Sequence, residues 1–392
     1  MRFLILSFYY QPDLSAGSFR TTALIKALLQ ELPDDAHIDL ITTLPNRYSS
    51  FSSDAPQREE LSRLTVHRLA LSAHKSGMID QSKAFISYAR GVMELVKGKE
   101  YDLVYGTSSR LMTAALAKYV AWRAKAPLYL DIRDIFVDTI KDVLPGKSMM
   151  VIKPVVTLLE RWTLRSGGKV NLVSGGFLPY FEQRYPNNSY SLFTNGIDDE
   201  FIEAGAQEGE RGLGSLTVLY AGNIGEGQGL HFIIPELAAH YRGRLRFQII
   251  GDGGRRQQLE DALAAKGCLN VEILPPVKRE ELIAAYQAAD VLFLHLNDYE
   301  AFKKVLPSKI FEYSALGKPI WAGVAGYAAE FIKTHVSNAA VFEPCSVGQA
   351  IEAFETIQLD TAPRAEFVEQ FARRNIMQLM AKDVVLASAE RC

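Results

Sequence analysis

Cysteine is scarce in this chain of 392 residues, which has only three, Cys268, Cys345 and Cys392. They stand far apart and form neither a CxxC pair nor the Cys/His spacing of a zinc site. Their number also gives no even-numbered disulfide framework of the kind found in small secreted domains. This cysteine usage argues against both kinds of site and favours a reducing compartment.

A strong net charge is missing as well. Lys and Arg total 43 against 45 for Asp and Glu, which leaves a formal net charge of -2. Such a balance offers no global attraction to nucleic acid or to anionic lipid, so any basic surface must be local. We expect no nucleic-acid partner.

Long hydrophobic runs are also absent, since no stretch reaches the ~18 apolar residues from which a membrane span is predicted. The N-terminal stretch MRFLILSFYY contains one basic residue and meets Gln11 and Pro12 without a small-residue cleavage site. This start predicts a first strand and not a signal peptide. We therefore expect a cytoplasmic protein.

The chain does have enough apolar residues, 48% of the total, to bury a large core, and its length predicts two domains. Apolar runs of strand length alternate with helix-length periodic segments, which is typical of parallel sheets covered by helices on both faces. The sequence predicts an α/β fold with two Rossmann-like, doubly wound parallel-sheet domains, residues 1–200 and 201–365. Ligands of such sheets lie at the carboxyl ends of the strands, so we expect the domains to face across a ligand-binding cleft.

Glycine-rich turns follow several predicted strands. Gly17 lies between the first strand and the first helix, where the backbone either approaches an anion or sugar hydroxyl, or forms a tight turn with Ser18 as N-cap. In the second domain, Gly222 and Asn223 begin a loop with four glycines in eight residues. This loop is either a diphosphate cradle or a flexible surface turn. Because it lacks a GK[ST] ending, ATP hydrolysis is disfavoured.

A second glycine turn in that domain begins at Gly251 and is either a ligand-binding turn or a plain βα turn. Arg256 stands where a dinucleotide fingerprint has Gly or Ala, which argues against NAD. Further along, Ser308, Lys309 and Glu312 lie in the first turns of a predicted helix. They offer a hydroxyl and a cation to phosphates and a carboxylate to ribose hydroxyls, or Lys309 and Glu312 form a solvated i,i+3 pair.

Together these segments resemble family 4 glycosyltransferases of the GT-B fold, and within them the bacterial O-antigen, capsule and exopolysaccharide transferases, including the N-acetyl-fucosamine transferase type. The resemblance spans nearly the whole chain and depends on the order and spacing of six segments: Tyr10 to Arg20, Asp131 to Asp134, Asn195 to Asp198, Tyr220 to Asn223, Gly251 to Gly253 and Pro307 to Pro319. It implies that the helical segment 366–392 packs back on the first domain.

The resemblance also implies roles for individual residues on the donor side. Gly17 faces the donor phosphates, Gly222 and Asn223 line the diphosphate site, Lys309 neutralises the diphosphate, and Glu312 binds the ribose hydroxyls. Glu312 matches the second glutamate of the family's paired-glutamate motif. The first is replaced by Lys304, so positive charge at the donor comes from Lys303, Lys304 or Lys309.

On the acceptor side, the resemblance places catalytic and polar groups at Asp131, Arg133 and Asp134. Either aspartate can take the acceptor proton, or an Asp-Arg pair fixes the end of the strand. Relatives with this fold retain the anomeric configuration and need no metal, and no DxD motif follows a strand here. We therefore expect no metal site and no cofactor beyond a UDP-sugar.

A basic amphipathic helix is predicted from Pro154 to Arg165, where the apolar residues recur at helical spacing: Val155, Leu158, Leu159 and Trp162. Such a helix lies in a lipid interface or packs on the sheet. A second basic stretch, His74 to Lys99, favours the alternative in which the helix lies in a lipid interface.

The sequence thus predicts a retaining, metal-independent glycosyltransferase, peripheral on the inner face of the cell membrane. It moves a sugar, with a 2-acetamido sugar as one candidate, from a UDP-sugar to a polyprenyl-diphosphate-linked saccharide in surface polysaccharide synthesis. The alternatives are a nucleotide-sugar 2-epimerase on the same fold and a non-catalytic nucleotide-sugar-binding subunit of an assembly complex.

Overall fold

The computed structural model describes residues 1–13, 15–45, 55–71, 78–108, 111–137, 146–165, 168–207 and 214–389, with side chains omitted at 78–81 and 146–151. The chain divides into two compact units. Unit 1 comprises Met1–Asn195 and Arg373–Cys392, and unit 2 comprises Gly196–Ala372. The structural boundary at Asn195 and the predicted one at residue 200 fall in the same connecting segment.

Unit 1 is built on an eight-stranded sheet in the order β3-β4-β2-β1-β5-β6-β7-β8. All neighbouring strands pair in parallel except β3, which is antiparallel to β4. The strands are β1 (Arg2–Leu6), β2 (His37–Thr43), β3 (Arg58–Leu61), β4 (Leu64–Leu69), β5 (Leu103–Thr107), β6 (Leu128–Ile132), β7 (Lys169–Leu172) and β8 (Ser189–Ser191).

The helices of unit 1 lie on both faces of this sheet. They are α1 (Ala16–Glu31), α2 (Met78–Leu95), α3 (Leu111–Ala124), α4 (Gly146–Leu164), α5 (Leu178–Arg184) and α14 (Arg373–Ala389). The crossover through α1 steps along the sheet in one direction, and those through α2, α3 and α4 step in the other. Since parallel crossovers are right-handed, α1 lies on one face and α2, α3 and α4 lie on the opposite face.

The last helix, α14, completes unit 1 by packing against α1. Asp383 fixes it to the sheet: its Oδ2 accepts hydrogen bonds from the hydroxyls of Tyr129 and Ser191, each 2.8 Å away, and its Oδ1 lies 3.0 Å from the Lys169 ammonium. The returning segment begins at Arg373, whereas the sequence prediction started it at residue 366. The intervening helix belongs to unit 2, because its Phe367 and Phe371 pack on Phe311.

Unit 2 contains a six-stranded, all-parallel sheet in the order β11-β10-β9-β12-β13-β14. Its strands are β9 (Leu216–Ala221), β10 (Leu245–Ile250), β11 (Val271–Leu274), β12 (Val291–His295), β13 (Ile320–Gly323) and β14 (Ala339–Phe342). Its helices are α6 (Asp199–Ala204), α7 (Leu230–His240), α8 (Arg256–Ala265), α9 (Arg279–Ala288), α10 (Lys309–Ala315), α11 (Tyr327–His335), α12 (Val347–Phe354) and α13 (Ala365–Phe371).

The central strands of both sheets consist mostly of apolar residues, because helices cover each sheet on both faces. In unit 2, the fully buried Trp321 packs edge-on against Phe293, and both belong to the core between the sheet and its helices. The predicted pair of doubly wound parallel-sheet domains is confirmed. No helix in the described part of the chain is both long and apolar enough to cross a bilayer.

Candidate active site

Two glycine turns of unit 2 meet at the carboxyl ends of β9 and β10. The Gly222 N-H donates to the Ile250 carbonyl over 2.8 Å, and the Ile224 N-H donates to the Asp252 carbonyl over 2.9 Å. A Cβ on Gly251 would lie 1.8 Å from the Gly222 carbonyl oxygen, and Gly251 has a φ of 155°. Only glycine fits this contact, so Gly251 is required by the backbone of the neighbouring loop.

Lys309, the first residue of α10, lies against Gly222. A Cβ on Gly222 would be 2.6 Å from the Lys309 Cε and 3.1 Å from its Nζ. Burial lowers the pKa of Lys309 from its ordinary value, the nearby Glu312 opposes this shift, and the Arg279 cation adds to it. A partly buried ammonium beside exposed backbone is an arrangement suited to binding an anion. The predicted pairing of Gly222 and Lys309 in one place is therefore present.

Glu312 lies one turn further along α10 and accepts a hydrogen bond from the buried Tyr286 hydroxyl over 3.3 Å. Arg279, at the start of α9, is ion-paired with Asp198 and lies 3.7 Å from Glu200. Burial would lower the pKa of Arg279, but the charges of Asp198 and Glu312 raise it. Glu312 thus stands in an ordered polar environment and is not a solvated surface residue.

Ser308 occupies the N-cap position of α10, but its side chain makes no capping hydrogen bond. Lys304 ends a short 3-10 turn, Phe302–Lys304, in the segment that leads into α10. Its neighbour Lys303 is held by Glu300 at 2.5 Å and by Asp298 at 3.9 Å. Of the three lysines considered from sequence, Lys309 is the one whose ammonium lies at Gly222.

Asn223 acts within its own loop. Its Nδ2 donates to the Gln228 Oε1 over 2.9 Å, and its carbonyl accepts from the Tyr220 hydroxyl over 2.7 Å. These bonds cross the base of the loop from Gly222 to Gly229. The loop therefore has hydrogen bonds of its own that favour one arrangement of Gly222 to Gly229.

Sequence reasoning missed two residues that hold this loop from the end of β12. His295 is buried; its Nε2 accepts from the Cys345 N-H over 2.9 Å, so its Nδ1 carries the proton and donates to the Gln228 carbonyl over 2.7 Å. Burial lowers the pKa of His295 to about 4. Asn297 donates from its backbone to the Gly227 carbonyl over 2.9 Å and from its side chain to the Glu226 carbonyl over 3.0 Å. The sequence feature that could have indicated these two residues is a His and an Asn at the carboxyl end of an apolar strand.

In unit 1, Asp131 lies at the end of β6 and is completely buried. It forms a two-point ion pair with the buried Arg20, at 2.8 and 3.0 Å, and accepts a third hydrogen bond from Asn171 over 2.7 Å. Burial alone would raise the pKa of Asp131, yet the Arg20 charge and hydrogen bonds hold it below the ordinary value. Arg20 also donates to the carbonyls of Phe193 and Thr194. This geometry corresponds to the structural alternative, an Asp-Arg pair that fixes the strand end.

Arg133 and Asp134 follow directly and are only partly buried. The Arg133 N-H donates to the Ser108 hydroxyl over 2.9 Å, and its guanidinium reaches the Asn195 Oδ1 at 3.4 Å. The buried Nη1 of Arg133 has no hydrogen-bond partner among the described residues. Burial raises the pKa of Asp134 to about 6, with Arg133 opposing the shift. A carboxyl group whose pKa lies close to neutral pH is suited to proton transfer. The neighbouring Arg133 Nη1 is a donor that a ligand oxygen can use.

Gly17 is buried in the first turn of α1, the helix that follows β1 along the chain. The expected N-cap at Ser18 is wrong: the cap is Ser15, whose hydroxyl accepts from the Ser18 N-H over 3.2 Å. The helix therefore begins earlier than the glycine turn suggested. The Ser18 hydroxyl oxygen is buried without a described partner. Among the described residues, no group of His, Cys, Asp and Glu side chains could hold a metal ion.

Solved structures share this two-domain architecture. Sucrose-phosphate synthase from Thermosynechococcus elongatus superposes with a TM-score of 0.77 at 14% identity, with 99% of each chain covered. HepE of Anabaena, in complex with UDP and glucose, superposes with a TM-score of 0.68 at 17% identity, covering 98% of this chain and 99% of that one. At such identities these matches establish the fold, which is the predicted GT-B class.

Sequence comparison defines the activity class more closely. Residues 203–374 match the family described as glycosyl transferases group 1. The chain is also 24% identical, over 98% of its length and 100% of the relative's, to the putative colanic acid biosynthesis glycosyl transferase WcaI of Escherichia coli (strain K12). This family match covers most of unit 2, and the predicted enzyme class, a glycosyltransferase, is confirmed.

Proposed function

We propose that this protein is a retaining, metal-independent glycosyltransferase that moves a sugar from a UDP-sugar to a lipid-linked saccharide during surface polysaccharide synthesis. The observation that carries the proposal is the contact between the Lys309 ammonium and Gly222 at the meeting of two glycine turns. It places one cation beside backbone that a diphosphate can approach closely. HepE, which has the same fold, has been solved with UDP and glucose.

On the donor side, Lys309 and the backbone at Gly222 bind the diphosphate, while Glu312 accepts hydrogen bonds from the ribose hydroxyls. The Tyr286 hydroxyl orients Glu312 for this role. As the bond from the anomeric carbon to the diphosphate oxygen breaks, negative charge grows on the leaving UDP. The Lys309 ammonium stabilises that charge where a bivalent cation would otherwise be needed.

On the acceptor side, the oxygen of the attacking acceptor hydroxyl forms the new bond to the anomeric carbon. Asp134 takes the proton that this hydroxyl loses. Its pKa of about 6 lets it be ionised at neutral pH and still accept a proton. The unfilled Nη1 of Arg133 supplies a donor to an acceptor oxygen. Asp131, whose lone pairs are occupied by Arg20 and Asn171, orders the segment that carries both residues.

Contact with the inner face of the cell membrane is supported by α4. Val155, Leu158 and Trp162 are 64%, 69% and 44% exposed, and Arg161 and Arg165 are exposed beside them. A helix with this composition can lie in a lipid interface. The start of the second basic stretch, at His74, is outside the described residues. A polyprenyl-diphosphate-linked acceptor is consistent with such a surface, and the relative named for colanic acid synthesis belongs to the same kind of pathway.

The donor-side proposal is tested by calorimetric titration with UDP, GDP, NAD and ATP in EDTA, using the wild type, Glu312→Ala and the exposed control Glu281→Ala. We expect UDP to bind in EDTA and to lose about fivefold to a hundredfold in affinity with Glu312→Ala, since stranded ribose contacts cost about 1 to 3 kcal/mol. The control should bind like the wild type. Preferential NAD binding, or no nucleotide binding, would overturn the proposal.

Turnover of UDP-sugars, measured with and without an acceptor, distinguishes the two alternatives from a glycosyltransferase and from each other. A nucleotide-sugar 2-epimerase consumes UDP-N-acetyl sugars with no acceptor present, and a non-catalytic subunit binds UDP but releases none from any UDP-sugar. Transfer predicts UDP release that depends on a lipid-linked acceptor. A panel of acetamido donors, including UDP-N-acetyl-fucosamine, tests the donor sugar in the same assay.

A further inference from the structure

A groove runs between α2 and α3 on the face of unit 1 that also carries α4. Its volume is about 830 Å³, and it has no role in the glycine and carboxylate sites described above. Six apolar residues form its walls: Phe85, Ile86, Met93, Met112, Leu116 and Tyr119. Ile86 is 50% exposed and Met112 is 43% exposed. Large apolar side chains left open along a concave surface are unfavourable in water and are suited to a hydrocarbon ligand.

The charges around the groove are of one sign. Arg90, Lys97, Lys99 and Arg123 line it, against the single carboxylate of Glu94. Lys99 is paired with Asp39 at 3.6 Å. The other three cations make no ion pair with any residue that the structure describes. The groove therefore lacks anionic partners for three of its cations and would attract an anionic head group.

The charges and the apolar walls are distributed along the groove in a definite order. Both helices follow strands of a parallel sheet, so they run in the same direction. Ile86 and Met112 consequently lie towards one end, and Lys97 and Arg123 lie at the other. From Ile86 to the end of α2 at Leu95 the helix rises roughly 14 Å at ~1.5 Å per residue. Two of the three cations that have no described ion pair thus lie at one end of the groove, and the third, Arg90, lies one turn along α2 from Ile86.

We propose that this groove binds the hydrocarbon chain of an anionic membrane lipid, with its phosphate at Lys97 and Arg123. The helix α3 packs against α4, so the groove and the exposed Val155, Leu158 and Trp162 belong to neighbouring helices on one face of the sheet. The inference deepens the membrane contact in the proposed function and depends on that part of it. It adds a defined chain-binding site to what would otherwise be a flat lipid-facing surface.

The first test uses monomeric decyl phosphate in calorimetric titrations, with inorganic phosphate and decyl maltoside as head-only and chain-only probes. Ala89→Phe fills the groove from a partly buried position, and Lys97→Gln with Arg123→Gln removes two exposed charges. The control, Lys83→Gln with Lys125→Gln, removes two exposed charges that do not line the groove. UDP titration and thermal unfolding accompany every variant.

Decyl phosphate should bind the wild type more tightly than either partial probe does. Ala89→Phe should weaken it at least about tenfold, by excluding two or more methylenes. The groove charge variant should weaken it by about threefold to tenfold, and the control should not. Equal affinities for wild type and Ala89→Phe, or no advantage of decyl phosphate over inorganic phosphate, would overturn the inference. The affinity for UDP should be the same in every variant. If no variant and not even the wild type bound UDP, the result would count against the proposed glycosyltransferase activity and not against the lipid site.

A second test uses flotation with vesicles of phosphatidylcholine alone and of phosphatidylcholine mixed with phosphatidylglycerol. The wild type should float with the mixed vesicles, and both groove variants should float less while the control matches the wild type. Binding of decyl phosphate without any difference between the variants on vesicles would contradict the assignment to a membrane lipid.

Discussion

The two units place charge at the carboxyl ends of their sheets in opposite ways. In unit 1, Asp131 and Arg20 are fully buried and their hydrogen-bonding capacity is used within the protein. In unit 2, the end of the partly buried Lys309 side chain lies against Gly222, in space that a Cβ on that residue would fill. The same sheet architecture therefore supports a charge that holds the fold together and a charge that is available to a ligand.

Arg20→Met should have the largest effect, because it tests whether the buried pair in unit 1 stabilises the fold. It leaves Asp131 buried without its counter-charge and should lower the free energy of unfolding by about 3 to 5 kcal/mol. Urea unfolding followed by circular dichroism measures the change. Replacing both residues, Arg20→Met with Asp131→Leu, should cost less than the single change, because no charge is left unpaired. A single variant as stable as the wild type would show that the pair does not act structurally.

Gly251→Ala should be the next largest effect. The new Cβ would meet the Gly222 carbonyl oxygen at 1.8 Å, at a φ that side chains rarely adopt, so the two turns must separate at a cost of about 3 kcal/mol. UDP titration and thermal unfolding should both report the loss. Gly214→Ala is the matched control, since its Cβ would meet nothing within 4 Å. Similar behaviour of the two variants would contradict the close contact.

Lys309→Met should separate binding from stability. UDP affinity should fall by about tenfold to a hundredfold, as expected for a lost charged contact, while the melting temperature stays the same or rises because a partly buried cation is removed. Lys303→Met, at an ion-paired lysine nearby, should leave UDP affinity nearly unchanged. If Lys303→Met were the more damaging of the two, the diphosphate contact would belong to the 3-10 turn instead.

The smallest effect concerns pH. Because the pKa of Asp134 is raised to about 6, transfer should decline as pH falls through 6 and the carboxylate takes up a proton. The same raised pKa predicts that the wild type loses stability relative to Asp134→Asn as pH rises from the ordinary aspartate range through 6. Rates measured from pH 5 to 8 and denaturant unfolding measured from about pH 4 to 8 test both signs. A flat rate profile would remove Asp134 as the base.

Much of this molecule was predictable from local sequence. Alternating apolar runs gave both sheets, and the spacing of Ser308, Lys309 and Glu312 picked out the segment beside Gly222. The pairing of Arg20 with Asp131 was not predictable as a specific contact, because the two residues are 111 positions apart. The same holds for His295 and Asn297, because the partners described for them are backbone groups, which leave no trace in the side-chain pattern of the sequence. The start of α1 was misplaced because Ser15 and Ser18 are equally good caps by composition.

The return of α14 to unit 1 has a consequence for how the chain is made. During synthesis, unit 2 emerges before the segment that carries Asp383, so the side of α1 that faces α14 stays uncovered until Arg373–Ala389 has left the ribosome. A product that stops before Arg373 exposes this side of α1 and leaves Tyr129 and Ser191 without their carboxylate. Folding of unit 1 is thus tied to the synthesis of unit 2, because only a chain that already includes α14 can bury that surface.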